Sequence, residues 1–323
     1  MRKPGVRTDV ERFVVFGTGG VGGYFGARLA EAGYPVTFIA RGDHLQAIRE
    51  RGLTVECLNG TGSSFRLDGV AATDDPAQAG PADVVLGCVK AWQVPDMIAA
   101  ARPLVANGTV VVPLQNGVDA VEQCAEAFGA DHVLAGFCKV LAWREAPGLI
   151  QYHGAEPIVT FGEMDNRPSG RVDGLRAAFE AARAVACETP DDIHRARWEK
   201  FLFIAPLSGV GTVTRACVGV VRSMPETRDL LYRAVAEAAE IGRAEGVALA
   251  DDAVERTIDY VDTLPPASTV SMQRDIMAGR PSELEAQTGS IVRRGAARGV
   301  ATPVNQVLYA SLKPMEAAAR GTS

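Results

Sequence analysis

The stretch RWEKFLFIAPLSGVGTVTR, Arg197 to Arg215, sets one lysine at the head of an apolar run, with Phe201, Leu202, Phe203 and Ile204 directly after Lys200. Lysine stays out of interiors unless its charge is compensated. On a cleft wall its ammonium could protonate a developing alkoxide. The plainer alternative is a surface lysine snorkelling at a helix start. Helical spacing puts Ile204 and Ser208 on the lysine's face, and Pro206 and Gly209 are expected to bend or break that helix.

A second constellation lies near the start. RFVVFGTGGVGGYFGARLAEAGYPVTFIAR reads as strand, glycine turn, helix, strand. Phe13 to Phe16 form a short apolar run of the buried parallel type. Gly17, Gly19 and Gly22 give GxGxxG spacing, and Gly20 joins them as a candidate cofactor contact. The first glycine permits the tight turn, the second lets backbone approach a pyrophosphate, and the third lets helix and strand pack closely. The helix then points its N-terminal amides at that phosphate. Gly33 closes the helix, and Tyr34 to Ala40 form the second strand. The flanking elements favour a dinucleotide site over a purely structural glycine turn.

The second strand ends in FIARGDH. A site preferring NAD usually carries Asp or Glu there, whereas Arg41 suits a 2′-phosphate, so NADP(H) is expected. The alternative is a solvated arginine in a loop. DVVLGCVKAWQVPDMI reads as a buried strand running into a loop at Lys90. GTVVVPLQNGVDAVEQCAEAF reads as another, with Gln115, Asn116 and Gly117 at its carboxyl end. Ligands of open parallel sheets lie beyond such ends. Lys90 and Asn116 are therefore candidates for cofactor or substrate contact, against a solvent-facing lysine and a plain turn.

The elements that must position these residues fall into two expected domains, since 323 residues exceed what one core usually holds. Residues 1–188 read as an α/β Rossmann-type dinucleotide-binding domain, with a hairpin signal at Asn59-Gly60, a strand over Val159 to Glu163 and a helix from about Val172 to Ala186. The polar stretch CETPDDIH marks the boundary. Residues 189–323 read as an all-α domain, carried by TRDLLYRAVAEAAEIGRAEGV, DDAVERTIDYVDTL and SELEAQTGSIVRRGAARG. In the last of these, Ser282 and Glu285 suggest a capping box at a helix start. Glu283 is then free to face a cleft or to serve as a helix-dipole carboxylate.

Composition narrows the partners. A net charge of -6 and the lack of a basic run argue against nucleic acid and anionic membrane. No run of about 18 apolar residues suggests a span, and MRKPGVRTDVERFVVFG lacks the apolar core of a signal peptide. The six cysteines form no CxxC pair and do not cluster with the four histidines, so neither a metal site nor a disulfide framework is expected. A cytoplasmic protein follows. An exposed helical face could mediate a homodimer, but periodicity does not identify it.

The chain resembles the ketopantoate reductase family (2-dehydropantoate 2-reductases) along nearly its full length. The resemblance rests on FGTGGVGGYFGARLAEAG, VKAWQV, QNGVD, RWEKF, STVSMQRDIMAGRPSELE and ARGVATPVNQVLY, in that order. It implies an NADP-binding Rossmann domain, a helical domain and an active site between them, toward which Lys200 faces. It implies that Lys200 is the general acid protonating the ketone oxygen of a small 2-oxo acid. Lys90 and Asn116 then approach NADPH and the reaction centre, and Arg41 holds the 2′-phosphate. Ser271 and Glu283 align with substrate-site residues, Glu283 beside the catalytic centre, and Asp275 with a polar neighbour. Ser271 and Asp275, four apart, could equally be a polar helix face.

The family typically carries asparagines four and eight residues after the lysine, where this chain has Ile204 and Ser208. Ser208 keeps a hydroxyl and stays a candidate substrate contact. Isoleucine removes an amide and makes the wall greasier, at about 1–3 kcal/mol for a substrate polar group left unpaired. The reaction class survives this departure better than ketopantoate as substrate does. A divergent paralogue acting on another 2-oxo acid or carbonyl is one alternative, and a non-catalytic NADP-binding sensor is another.

Overall fold

The structure, a computed structural model, describes residues 10–58, 62–153 and 157–322. The hairpin turn expected at Asn59-Gly60 lies outside them. In chain order the elements of the first half are β1 (Phe13–Phe16), α1 (Gly20–Glu31), β2 (Val36–Ile39), α2 (Gly42–Arg51), β3 (Leu53–Cys57), β4 (Phe65–Leu67), β5 (Ala71–Thr73), α3 (Pro76–Ala79), β6 (Val84–Gly87), α4 (Val94–Ala101), β7 (Val110–Pro113), α5 (Asp119–Phe128), β8 (Leu134–Lys139), β9 (Ala142–Ala146), β10 (Leu149–Tyr152), β11 (Ile158–Glu163), α6 (Gly170–Ala181) and β12 (Ala186–Glu188). Helices alone follow: α7 (Ile193–Thr214), α8 (Val218–Ser223), α9 (Pro225–Ala244), α10 (Ala253–Thr263), α11 (Ser271–Met277), α12 (Thr288–Arg298) and α13 (Pro303–Arg320).

The chain divides into two compact units. One runs to Gln115 and resumes over Ala120–Ile193; the other gathers Asn116–Asp119 with the chain from His194 on. The break thus falls within the CETPDDIH stretch, between Ile193 and His194, a few residues later than the expected 188/189 boundary, since β12 (Ala186–Glu188) still pairs with β11. An α/β unit of the Rossmann type and an all-helical unit result.

The first unit is built on a parallel sheet ordered β5-β2-β1-β6-β7. All of β1 is buried, as its unbroken apolar run requires, and each such side chain contributes about 1.5–3 kcal/mol. A four-stranded sheet, β4-β3-β10-β9, and a three-stranded one, β12-β11-β8, complete the unit. Helix α1 packs against β1 and β2 on one side and against β3, β9 and β10 on the other, which accounts for its glycine content. A Cβ at Gly26 would lie 2.6 Å from Val15 and 2.7 Å from Phe38, and one at Gly23 2.6 Å from Ile150. The helix fits between two sheets only because neither face carries bulk there.

Two expectations about helices change. Residues after Ala181 leave the helical path, with Ala182 extended and Ala184 at φ 53°, so α6 ends before the expected Ala186. In the second unit α7 runs unbroken through Pro206. Proline costs roughly 3 kcal/mol inside a helix, but Phe201, Leu202, Ala205, Leu207 and Val210 are all buried in one core. That burial exceeds the cost by several-fold.

Candidate active site

In the first unit the cofactor candidates gather at the carboxyl ends of β1, β2 and β6. Gly17 leaves β1 at φ 99°, donates its N–H to Ile39 O at 3.2 Å, and has room only for hydrogen, since a Cβ would stand 2.9 Å from Val89 N. This is where the strand order reverses about β1, the crevice that parallel sheets offer to ligands. Gly19 caps α1 with no side-chain hydrogen bond, and a Cβ there would meet nothing within 4 Å. Gly22 packs against Val15, Cys88 and the Gly17 carbonyl. Gly20 is a packing position as well: a Cβ would collide with the Ala142 carbonyl. Any cofactor contact by Gly20 is therefore made by its backbone alone.

Arg41 caps α2 just past β2 and is exposed. Among the described residues its guanidinium has no hydrogen-bond or ion-pair partner. Lys90 is half-buried past β6, its N–H donating to Gln93 Oε1 at 3.3 Å. Gln115 donates from Nε2 to Gly87 O at 2.9 Å and Val89 O at 3.1 Å, fixing the outgoing end of β6.

One residue here carries no periodic signal in the sequence. His44 in α2 donates from Nε2 to Thr18 O at 2.7 Å and accepts the Gly148 N–H on Nδ1 at 3.0 Å. Only the neutral ring with its proton on Nε2 makes both bonds. Burial accordingly pushes its pKa down, with Arg144 adding to the effect and the Thr18 carbonyl and Asp43 opposing it. His44 is a strut under the glycine turn.

In the second unit three candidates form one hydrogen-bonded chain. Lys200 Nζ donates to Asn116 Oδ1 at 2.9 Å, and Asn116 Nδ2 donates to Glu283 Oε2 at 3.1 Å. Only one orientation of the amide serves both, because an ammonium donates and a carboxylate accepts. Gln287 Nε2 lies 3.5 Å from the same Glu283 oxygen. Glu283 is 5% exposed, and Lys200 and Asn116 are half-buried.

The segment bearing Asn116 is fastened residue by residue. Gly117 takes φ 94°, and a Cβ there would lie 2.6 Å from Ala286 O. Val118 is buried beside Trp198 and Phe201, and its carbonyl accepts Arg197 Nη2 at 2.7 Å. Asp119 takes Arg294 Nη2 at 2.6 Å and Ser290 Oγ at 3.1 Å. Arg197, one turn before Lys200, is thus a site residue that sequence reasoning missed. Nothing in RARWEKF sets Arg197 apart from Arg195; its burial to 4% exposure emerges only on folding.

The remaining candidates separate from this chain. Ser271 opens α11 and is half-buried. Asp275 pairs with Arg280 at 3.0 Å. Ser208 does not line a substrate wall: it is 0% exposed, and Gly209 beside it packs against Leu308 and Thr288. The capping box at Ser282 is also absent. Ser282 Oγ accepts from Leu284 N at 3.2 Å and donates to Glu316, while Glu285 is drawn to Arg293, Tyr309 and Lys313. Residues 284–287 form turns, and the helix starts at Thr288. Among the described residues no group of three or more His, Cys, Asp or Glu could hold a metal ion.

A parallel sheet with a glycine turn at its switch point, followed by a helical unit with a lysine–amide–carboxylate chain, defines a dinucleotide-dependent oxidoreductase of two units. Residues 13–166 match the family model described as ketopantoate reductase PanE/ApbA, and residues 192–316 match its C-terminal counterpart. The chain belongs to this family of NADP(H)-dependent oxidoreductases. It is 31% identical over 300 residues to the 2-dehydropantoate 2-reductase of Halobacterium salinarum, covering 92% of this chain and 96% of that one. It is 28% identical over 306 residues to an uncharacterized oxidoreductase of Bacillus subtilis, covering 95% and 99%. The crystal structure of 2-dehydropantoate 2-reductase from Geobacter metallireducens is similar at a TM-score of 0.86 and 32% identity, over 94% of this chain and 99% of that one.

Proposed function

We propose that the protein reduces 2-dehydropantoate to pantoate with NADPH, with Lys200 as general acid. The observation that carries the reading is the chain from Lys200 through Asn116 to Glu283. When bound, NADPH supplies the hydride that adds to the carbonyl carbon. As charge builds on the carbonyl oxygen, the Lys200 ammonium stabilises it and passes a proton from Nζ to it. Asn116 aims that ammonium in advance, so little reorganisation accompanies the step. Glu283 balances the ammonium through the amide and offers an acceptor to a substrate hydroxyl. Ser271, with no side-chain hydrogen bond among the described residues, is a further donor to the substrate.

The first unit supports NADP(H) through its own features. The uncapped start of α1 and the open Gly19 fit a pyrophosphate, and the unpartnered Arg41 fits a 2′-phosphate. Lys90 is assigned to the cofactor by its position just past the carboxyl end of β6. In this reading the step belongs to pantothenate biosynthesis in the cytoplasm. Among the described residues no helix is long and apolar enough to cross a membrane.

A second reading, a different 2-oxo acid with a more apolar substituent, is favoured by α7 itself. Ile204 is half-buried one turn from Lys200, and Ser208 is wholly buried, so neither position presents a polar group. The test follows NADPH oxidation with 2-dehydropantoate and a panel of other 2-oxo acids, in the native protein and in Lys200→Ala. Turnover of 2-dehydropantoate, lowered at least about 100-fold by K200A, is expected. Near-normal turnover in K200A removes the acid role. A better substrate elsewhere in the panel establishes the second reading.

A further inference from the structure

Glu283 stands between two neighbours that are held in different ways. Leu284, after it, is buried with Met272, Ile276 and Leu312 in an apolar cluster. Ser282, before it, is held by hydrogen bonds from the far end of α13. Its N–H donates to Glu316 Oε1 at 3.2 Å and Oε2 at 3.0 Å, and its Oγ donates to Glu316 Oε2 at 2.5 Å. Its carbonyl accepts Arg320 Nη2 at 3.0 Å. Arg320 Nε in turn lies 2.5 Å from Glu316 Oε1, one helical turn away.

The geometry points to Glu316 as a positioning residue for Glu283, acting through the backbone of Ser282. The inference rests on the proposed role of Glu283. Apolar packing around Leu284 sets how deep the turn sits but not how it is rotated. Directional bonds set rotation. Every polar backbone atom of Ser282, and its hydroxyl, is engaged by Glu316 or Arg320, so the Cα of the next residue has little freedom. Glu283's own carbonyl accepts from Ala286 N at 3.1 Å and Gln287 N at 3.0 Å, which locks the turn from the other side. Glu316 is 2% exposed. Burying a carboxylate is costly, and an apolar side chain of equal volume would often stabilise the fold as well or better. The ion pair's distinctive contribution is directional.

Glu316→Gln places an amide N–H where an acceptor stood, which rotates the turn. A misplacement on the order of 1 Å at a reacting site lowers turnover by about 100-fold. Steady-state kinetics on E316Q, E283A and the double variant decide the matter. The expected result is a fall in kcat/KM for the 2-oxo acid of about 10- to 100-fold in E316Q, with an unchanged KM for NADPH. In the E283A background the same change should cost nothing further. Native kinetics in E316Q with an impaired E283A overturns the inference alone, as does an equal loss in the E283A background or an equal rise in the KM for NADPH. A kinetically silent E283A overturns the role of Glu283 and the inference with it. If E316Q does not fold, Arg320→Gln, which trims only the outer edge of the clamp, is carried through the same cycle with the same criteria.

Discussion

Lys200 Nζ stands 2.9 Å from Asn116 Oδ1, across 84 positions of sequence, and the other end of that amide stands 3.1 Å from Glu283. One planar group thus aims a cation and satisfies an anion. Asn116→Leu keeps the volume and removes both bonds. It should lower kcat by about 10- to 100-fold. Pre-steady-state measurement of NADPH oxidation checks this, and a native kcat in N116L would show that the amide does not orient the lysine.

Arg41 tests the cofactor assignment. A charge-assisted bond is worth about 1.5–3 kcal/mol, or about 10- to 100-fold in affinity. Arg41→Ala should weaken NADPH by that factor and leave NADH almost unchanged. Isothermal titration with both nucleotides measures the contrast, and equal losses would refute a 2′-phosphate role.

Two glycines of the turn should fail in different ways. Gly19→Ala meets open space, so it should lower stability by at most about 1 kcal/mol, the usual scale of a changed N-cap. It should nevertheless weaken NADPH binding strongly, because its methyl occupies the approach of the pyrophosphate. Gly22→Ala drives a methyl into Val15 and the Gly17 carbonyl, and should lower the melting temperature outright. Thermal denaturation with and without NADPH separates the two.

His44 makes the first unit sensitive to acid. Its folded pKa is depressed by burial, so the unfolded chain takes up the proton more readily than the folded one. Its stabilising contribution is full above the ordinary histidine pKa of about 6.5 and drains away as pH falls through the lowered value. The melting temperature should fall between about pH 7.5 and about pH 5.5, and His44→Gln, which does not titrate, should flatten that slope. Parallel slopes in the two proteins would exclude His44 as the source.

Ile204 tests the substrate. Ile204→Asn restores an amide one turn from Lys200 and should shift selectivity toward the acid with the extra hydroxyl, by about 10-fold or more in kcat/KM. Competition between 2-dehydropantoate and an apolar 2-oxo acid reads the shift directly. Unchanged selectivity would remove Ile204 from the substrate wall.

What the sequence made legible was local. Phe13 to Phe16, the glycine turn and the strand before Arg41 are adjacent in the chain, and their periodicity and turn chemistry survive folding unchanged. What stayed hidden was set by distant partners. Nothing beside Pro206 shows that core burial carries α7 through it. Nothing in RPSELEAQ shows that Glu316, Lys313 and Tyr309 take the hydroxyl and carboxylate a capping box needs. Ser208 looked accessible because helical spacing names a face without naming what covers it. The trio of Lys200, Asn116 and Glu283 was reachable through family resemblance; the bonds joining it were not.

The four residues Asn116–Asp119 group with the helical unit although the chain on either side belongs to the other. This excursion has a consequence for synthesis and for dissection. During translation Asn116 emerges long before Glu283 exists, so the segment must wait, tethered but unsatisfied, until most of the polypeptide has been made. A fragment beginning at His194 would lack Val118 from its core and Asn116 from its hydrogen-bonded trio. The two units are therefore distinct as structures but not as modules: no single cut in the chain yields a complete helical half.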